Sequence, residues 1–236
     1  MTQSQVPKNA HLPSRLVEGY GAFLHGRFGQ ERDRFRHLSE AGQKPKIMLI
    51  GCCDSRVSPE VIFDADPGEI FVVRNVANLV PPYAPDDDLH GTSAALEFAV
   101  MGLRVEHLVV MGHGQCGGVR AFAESEADPY QRPLSPGDFI GKWMTLIGPA
   151  AQRVGKPDVS VADYTELLAL ESIKQSLINL RSFPCVRILE ERGRLSLHGA
   201  YFSIASGQLQ ALDESSGAFV QVADDQYMQA FSEPRF

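Results

Sequence analysis

A central, mainly parallel β-sheet flanked by helices, with an N-terminal helical arm, is the α/β architecture this sequence predicts. Three observations carry it. Short apolar runs, KIMLIG at 46–51, EIFVVR at 69–74 and HLVVMG at 107–112, have the length and composition of strands buried on both faces. Segments with helical spacing alternate with them, as crossovers between parallel strands require. Near the C-terminus, Leu195–Ile204 and Gln208–Leu212 flank Ser206-Gly207, a hairpin signal that adds an antiparallel edge strand. About four parallel strands plus that edge are expected.

The elements follow in chain order. Leu12, Leu16, Tyr20, Phe23, Leu24, Phe28, Phe35 and Leu38 recur at helical spacing, so residues 12–40 predict one or two amphipathic helices broken near Gly26 to Gly29. Such an arm has to bury its apolar stripe, and a second subunit is one place for it. The first strand follows Gln43-Lys44-Pro45, and the second follows an Asp66-Pro67-Gly68 turn. Ser93–Leu103 reads as a helix between the second and third strands, and Gln115–Glu126 as a helix leaving the third. Ser135–Val154 and Ala162–Ser182 read as two more. Val186–Arg192 is ambiguous, and the tail from Ala218 has room for one further strand. No repeat or linker divides the chain, so a single domain over 1–236 is expected. Within it lie the arm (1–42), a core carrying the chemistry (43–125), and C-terminal helices and edge strands (126–236).

Composition narrows the function classes. The 236 residues carry 22 basic and 29 acidic side chains, a net charge of 22 − 29 = −7. That balance argues against a nucleic-acid groove. Hydrophobic residues at 44% and charged residues at 22% exclude disordered and fibrous classes. No apolar run reaches the roughly 18 residues of a membrane span, and the start lacks the apolar core of a signal peptide. A soluble, cytoplasmic protein is expected. Its four cysteines, at 52, 53, 116 and 185, then raise metal binding or catalysis rather than a disulfide framework.

The chemistry gathers where strands end. The first strand runs into Gly51-Cys52-Cys53-Asp54-Ser55-Arg56, the second into Arg74-Asn75-Val76-Ala77-Asn78, and the third into Gly112-His113-Gly114-Gln115-Cys116-Gly117-Gly118. Sites in open parallel sheets lie beyond these carboxyl ends. Gly112, Gly114 and Gly117 match the dinucleotide fingerprint G-x-G-x-x-G, but the region about 20 residues on holds three prolines and no apolar run. A metal explains more. His113 and Cys116 share one turn, and Cys52 from a neighbouring strand end would complete a Cys2His set that leaves zinc one open position. The same three side chains would also serve as core residues. Asp54 and Arg56 form a pair directly after Cys52. A carboxylate kept ionised by arginine could accept a proton from water held on the metal, or simply close the loop as a salt bridge.

These motifs resemble the β-class carbonic anhydrases, whose Cys-x-Asp-Ser-Arg stands here as Cys52 to Arg56 and whose His-x-x-Cys stands as His113 to Cys116. DPGEIFVVRNVANLVPPY at 66–83 and GTSAALEFAV at 91–100 are similar to the plant-type members. The likeness runs from about Gln43 through Val119 and resumes at LSLHG (195–199). The resemblance implies one Zn2+ per subunit, held by Cys52, His113 and Cys116, and a catalytic Asp54–Arg56 dyad. It implies carbon dioxide and bicarbonate as substrate and product, hydroxide held on zinc being the nucleophile. It also implies a homodimer or a dimer-built higher oligomer, with Gln43 of one subunit reaching its neighbour's site. Phe71, Val76 and Phe98 match the substrate pocket; the last is often tyrosine in the family, so one hydroxyl is absent here. A subgroup binds a noncatalytic bicarbonate through Trp, Arg and Tyr. Leu49, Arg74 and Phe202 stand at those positions, so that inhibitory site is not expected. His90, in the loop before the 93–103 helix, and Tyr83 are candidate proton carriers.

Other readings keep the scaffold or the residues and change the chemistry. They are hydrolysis of carbonyl sulfide or carbon disulfide, a cysteine nucleophile with His113, and a noncatalytic zinc or bicarbonate sensor. A nucleophilic cysteine would survive chelation, and a sensor would not need Asp54 and Arg56.

Overall fold

The computed structural model describes residues 12–86, 88–127, 137, 139–156 and 158–222. The chain forms two compact units, Met1–Gln43 and Lys44–Phe236. The first holds α1 (Ser14–His25) and α2 (Arg27–Ala41), interrupted at Gly26 as the glycine pattern predicts. Phe23, Phe28 and Phe35 cluster with ring centroids 5.3–5.8 Å apart. Neither helix buries a residue, and Leu12, Leu16 and Tyr20 are each about 60% exposed.

The second unit runs β1 (Ile47–Cys52), α3 (Pro59–Ile62), β2 (Ile70–Asn75), α4 (Gly91–Glu97), β3 (His107–His113) and α5 (Gly117–Ala127). It continues with α6 (Phe139–Met144), α7 (Gly148–Val154), α8 (Val161–Ser182), α9 (Pro184–Glu191), β4 (Ser196–Phe202), β5 (Leu209–Asp213) and β6 (Ala218–Gln221). The six strands are ordered β2-β1-β3-β4-β5-β6. The first four are parallel, and β5 and β6 are antiparallel. The expected edge strand β5 is therefore an inner one, because the tail adds β6 outside it. Among the described residues no helix is long and apolar enough to cross a membrane.

Three expected helices differ in detail, and one ambiguous segment takes a definite form. Ser135–Val154 is not continuous. It breaks into α6, a 3-10 turn at Thr145–Ile147 and α7, because Pro149 lacks an N–H and fits only a first helical turn. Ser135 itself lies outside the described residues. The 93–103 helix starts two residues earlier and finishes as a wide π-helical turn over Phe98–Leu103, closed by Arg104 at φ 58°. The helix after β3 begins at Gly117 rather than Gln115, since Gln115 sits at φ 52°. Residues 184–191, ambiguous in sequence, are helical with Pro184 at the first position.

The core explains why the sheet sits where it does. β1 is buried almost throughout, as a central strand should be. Met48 and Ile50 face the main cluster with Leu108 and Val110 of β3, whereas Leu49, Met111 and Ala200 form a second cluster on the opposite face. α8 starts at an N-cap, the Ser160 hydroxyl accepting the Asp163 N–H at 3.1 Å. It then lays Leu168, Ile173, Leu177 and Leu180 into the main cluster. Gly112 in β3 allows that approach, since a Cβ there would meet Ile173 Cδ1 at 2.8 Å. The strand order reverses at β1, with β2 on one side and β3 on the other. The crevice beyond the ends of β1 and β3 is therefore the position where such sheets bind ligands.

Candidate metal centre

Register builds the site. Gly51 pairs with Met111, so the strands carry Cys52 and His113 to the same rim of the sheet. A turn at Gly114 and Gln115 then folds Cys116 back beside them. The ligand atoms of Cys52, His113 and Cys116 all lie within 4.8 Å of one another, and the three residues are 5%, 1% and 1% exposed. The two sulfurs are 3.9 Å apart, against about 3.8 Å for two sulfurs each ~2.3 Å from one tetrahedral ion. His113 Nδ1 donates to the Gly114 carbonyl at 2.9 Å, which leaves a lone pair on Nε2. That Nε2 is buried and has no hydrogen-bond partner, an arrangement that costs about 1–3 kcal/mol unless something accepts the lone pair. The thiols divide their protons unequally. A hydrogen bond from Cys116, with backbone N–H groups adding to it, draws the Cys52 thiol down despite burial. The same contact and burial push Cys116 up. A dication held here would take both sulfurs as thiolates and release protons on binding. Two sulfurs and an unpartnered imidazole nitrogen suit a borderline-soft metal ion.

Asp54 and Arg56 sit on the loop leaving β1. Arg56 grips the carboxylate through Nε to Oδ1 at 2.9 Å and Nη2 to Oδ2 at 2.7 Å, with its own backbone N–H adding 3.0 Å to Oδ1. This contact holds the Asp54 carboxyl well below the usual carboxylate range. Oδ2 is 4.0 Å from His113 Nε2, so the dyad borders the metal cluster. Arg74 of β2 fixes the loop from behind, donating from Nε to the Cys52 carbonyl at 2.8 Å and from Nη2 to the Asp54 carbonyl at 2.7 Å. Sequence reasoning placed Arg74 only in a vestigial anion site, whereas the structure commits it to the backbone of the metal loop.

The apolar positions divide. Phe71 and Phe98 meet at a tilt of 44° with centroids 5.9 Å apart, Phe98 remaining 53% exposed. Val76 lines a cavity of about 620 Å3 together with Cys53, His90 and Trp143. Asn75 shapes this segment: its amide donates to the Leu79 carbonyl at 2.8 Å and accepts the Leu79 N–H at 2.9 Å, holding Ala77 and Asn78 at positive φ. Trp143 Nε1 donates to the Val76 carbonyl at 2.8 Å. His90 Nε2 lies 2.6 Å from Asp86 on the same loop. Tyr83 packs edge-on against Phe183. Leu49 is buried in the second cluster, with Phe202 packed against it. Gln43 ends the first unit, while the cluster belongs to the second. Sequence reasoning missed Asn75 and also Glu166 and Tyr201, which meet the 113–116 turn from α8 and β4. No local motif marks these residues; only the tertiary fold brings them there.

Known proteins resemble this chain over most of its length. A family model described as carbonic anhydrase matches residues 47–209. A Pseudomonas aeruginosa protein named carbonic anhydrase is 37% identical over 210 residues, 89% of this chain and 91% of its own. The solved β-carbonic anhydrase CcaA superposes with a TM-score of 0.74 at 32% identity, covering 89% of this chain and 92% of its own. A tetrameric β-carbonic anhydrase of Sordaria macrospora gives 0.70 at 28% identity, covering 84% and 95%. With one motif at the end of β1, the other at the end of β3, and likeness on this scale in sequence and fold, the chain belongs to the β-class carbonic anhydrase family of enzymes.

Proposed function

We propose that the chain catalyses the reversible hydration of carbon dioxide to bicarbonate and a proton, with Zn2+ held by Cys52, His113 and Cys116. The observation that carries this reading is the unpartnered, buried His113 Nε2 facing two close sulfurs beside an Arg56-held carboxylate. Zinc, when bound, supplies the Lewis acidity that makes water nucleophilic near neutral pH, and two thiolates that cancel its charge moderate that effect and move the optimum to alkaline pH.

The chain's own residues do the rest. Asp54 accepts a hydrogen bond from the attacking water at Oδ2 and so aims a lone pair at the carbon. Arg56 keeps Asp54 an acceptor and fixes its plane. Phe71, Val76 and Phe98 offer apolar surface to a small apolar substrate, and Gln43 of a neighbouring subunit donates to the developing bicarbonate oxygen. His90, oriented by Asp86, carries the product proton toward buffer. The helical arm of residues 1–42 serves assembly into a dimer or a dimer-built oligomer, a reading supported by its exposed Leu12, Leu16 and Tyr20 and by the tetrameric relative. Free thiols at 52, 53, 116 and 185 suit a reducing, cytoplasmic setting.

Stopped-flow hydration with a pH indicator tests the assignment on zinc-replete protein from pH 7 to 9. The expected outcome is a rate well above buffer that climbs with pH and disappears on chelation. Hydration no faster than buffer, with zinc confirmed bound, would refute it.

A further inference from the structure

The turn joining His113 to Cys116 does not hold itself. Gln115 at its apex adopts φ 52°, a left-handed conformation that a residue with a side chain keeps only when its surroundings impose it. Its N–H and its carbonyl are each held by a residue distant in sequence. The Gln115 N–H donates to Glu166 Oε1 of α8 at 2.8 Å, and the Gln115 carbonyl accepts Arg56 Nη2 at 3.3 Å. The other Glu166 oxygen, Oε2, accepts the hydroxyl of Tyr201, a buried residue of β4. The turn fits closely against this pair, since a Cβ on Gly114 would lie 3.1 Å from the Tyr201 hydroxyl and 3.6 Å from Glu166 Oε2. The neighbouring Gly114 N–H goes to the Phe202 carbonyl at 2.9 Å, and Glu166 is the protein acceptor of the Gln115 N–H.

We propose that Glu166 is the positioning residue of the metal centre: its carboxylate, anchored by Tyr201, sets the turn that spaces His113 from Cys116 and presents the carbonyl on which Arg56 docks. The inference rests on the metal-site reading above and adds to it a group that touches neither metal nor substrate. Each side of the carboxylate has one task. Oε2 is fixed by the sheet, and Oε1 transmits that position to the turn. Through Arg56 Nη2, which bonds both the Gln115 carbonyl and Asp54 Oδ2, the same contact reaches the dyad.

The test uses the full chain, stripped of metal and reloaded with Zn2+ or Co2+, in wild type and in Glu166→Ala, Glu166→Asp and Glu166→Gln. Gln keeps a carbonyl for the Gln115 N–H and an amide that reaches Tyr201; Asp keeps the charge but is one methylene too short to span both. Zinc affinity by chelator competition is expected to fall about 10–100-fold in the Ala and Asp variants, as for other groups that orient metal ligands. The visible absorption of their cobalt forms is expected to change, and kcat to fall with it. The Gln variant is expected to stay within about threefold of wild type with an unaltered spectrum. The Asp variant keeps the test open if the Ala variant does not fold. Ala and Asp variants that merely melt earlier, with wild-type zinc affinity and cobalt spectrum, would overturn the proposal. So would a Gln variant as impaired as Ala. Failure of the wild-type chain to take up either metal would instead strike the metal-site reading itself, before any variant is compared.

Discussion

At the scale of single residues, Asp54 and Arg56 show how position and ionisation separate. Arg56 draws the Asp54 carboxyl far down, yet a carboxyl at its ordinary pKa of about 4 is already ionised at pH 7. What Arg56 adds at working pH is therefore orientation through two parallel N–H···O contacts, which lysine cannot reproduce. Arg56→Lys is expected to lower kcat/KM by roughly tenfold at every pH from 6 to 9, without a new acidic limb. Asp54→Asn, which removes the acceptor, should cost about 10²–10⁴ in kcat. Rate profiles of the two variants check this, and a new limb near neutral pH in Arg56→Lys would mean that ionisation was the contribution. Because the folded pKa of Asp54 is depressed, the pairing favours the folded state above about pH 4 and fades as pH falls further. The sequence marks Cys52, His113 and Cys116 as candidate ligands and Asp54 and Arg56 as a candidate pair because ligand chemistry restricts residue type and the two motifs are contiguous, and the structure brings each group together. Glu166 carries no such mark, since a glutamate on an amphipathic helix looks the same whether it faces water or a metal loop.

At the scale of elements, strand ends and close approaches decide the geometry. The apolar runs at 46–51, 69–74 and 107–112 anticipated β1 to β3 to within one residue; β1 and β3 are largely buried as such runs require, whereas β2, at the edge of the sheet, is half-buried along its length. The 135–154 segment was misread as one helix because hydrophobic spacing alone does not register where Gly148-Pro149 must restart a turn. Gly112 is the element-level constraint the sequence presented as part of a motif. Its role is to let Ile173 of α8 touch β3 at van der Waals distance. Gly112→Ala is expected to destabilise the fold by about 1–3 kcal/mol in urea unfolding, as overpacking does, and Ile173→Val, which removes the clashing Cδ1, should recover part of that loss. Equal losses in the single and double variants would show that the contact is not the cause.

At the scale of the whole molecule, the arm exposes Leu16 and Tyr20, one turn apart on α1, and Leu12 just ahead of it. Large apolar side chains exposed together in this way signal an interface. Sedimentation velocity is expected to show a species of at least twice the 25.9 kDa chain mass, and Leu16→Glu with Tyr20→Glu should shift it toward the monomer. A wild-type monomer at micromolar concentration would rule out this role for the arm.

By itself the sequence determined the fold class, the order of the parallel strands along the chain and which residue types could form a metal cluster and an acid–arginine pair. These are local properties, set by hydrophobic period, turn residues and donor type. Only the tertiary structure decided the strand order β2-β1-β3-β4-β5-β6, which brings Cys52 beside His113 across a gap of some sixty residues. It alone committed Arg74 to the metal loop and Glu166 to the turn behind it. The physical reason is that a hydrogen bond depends on distance and direction in space, and a side chain 20 or 50 residues away leaves no periodic trace of the partner it will meet.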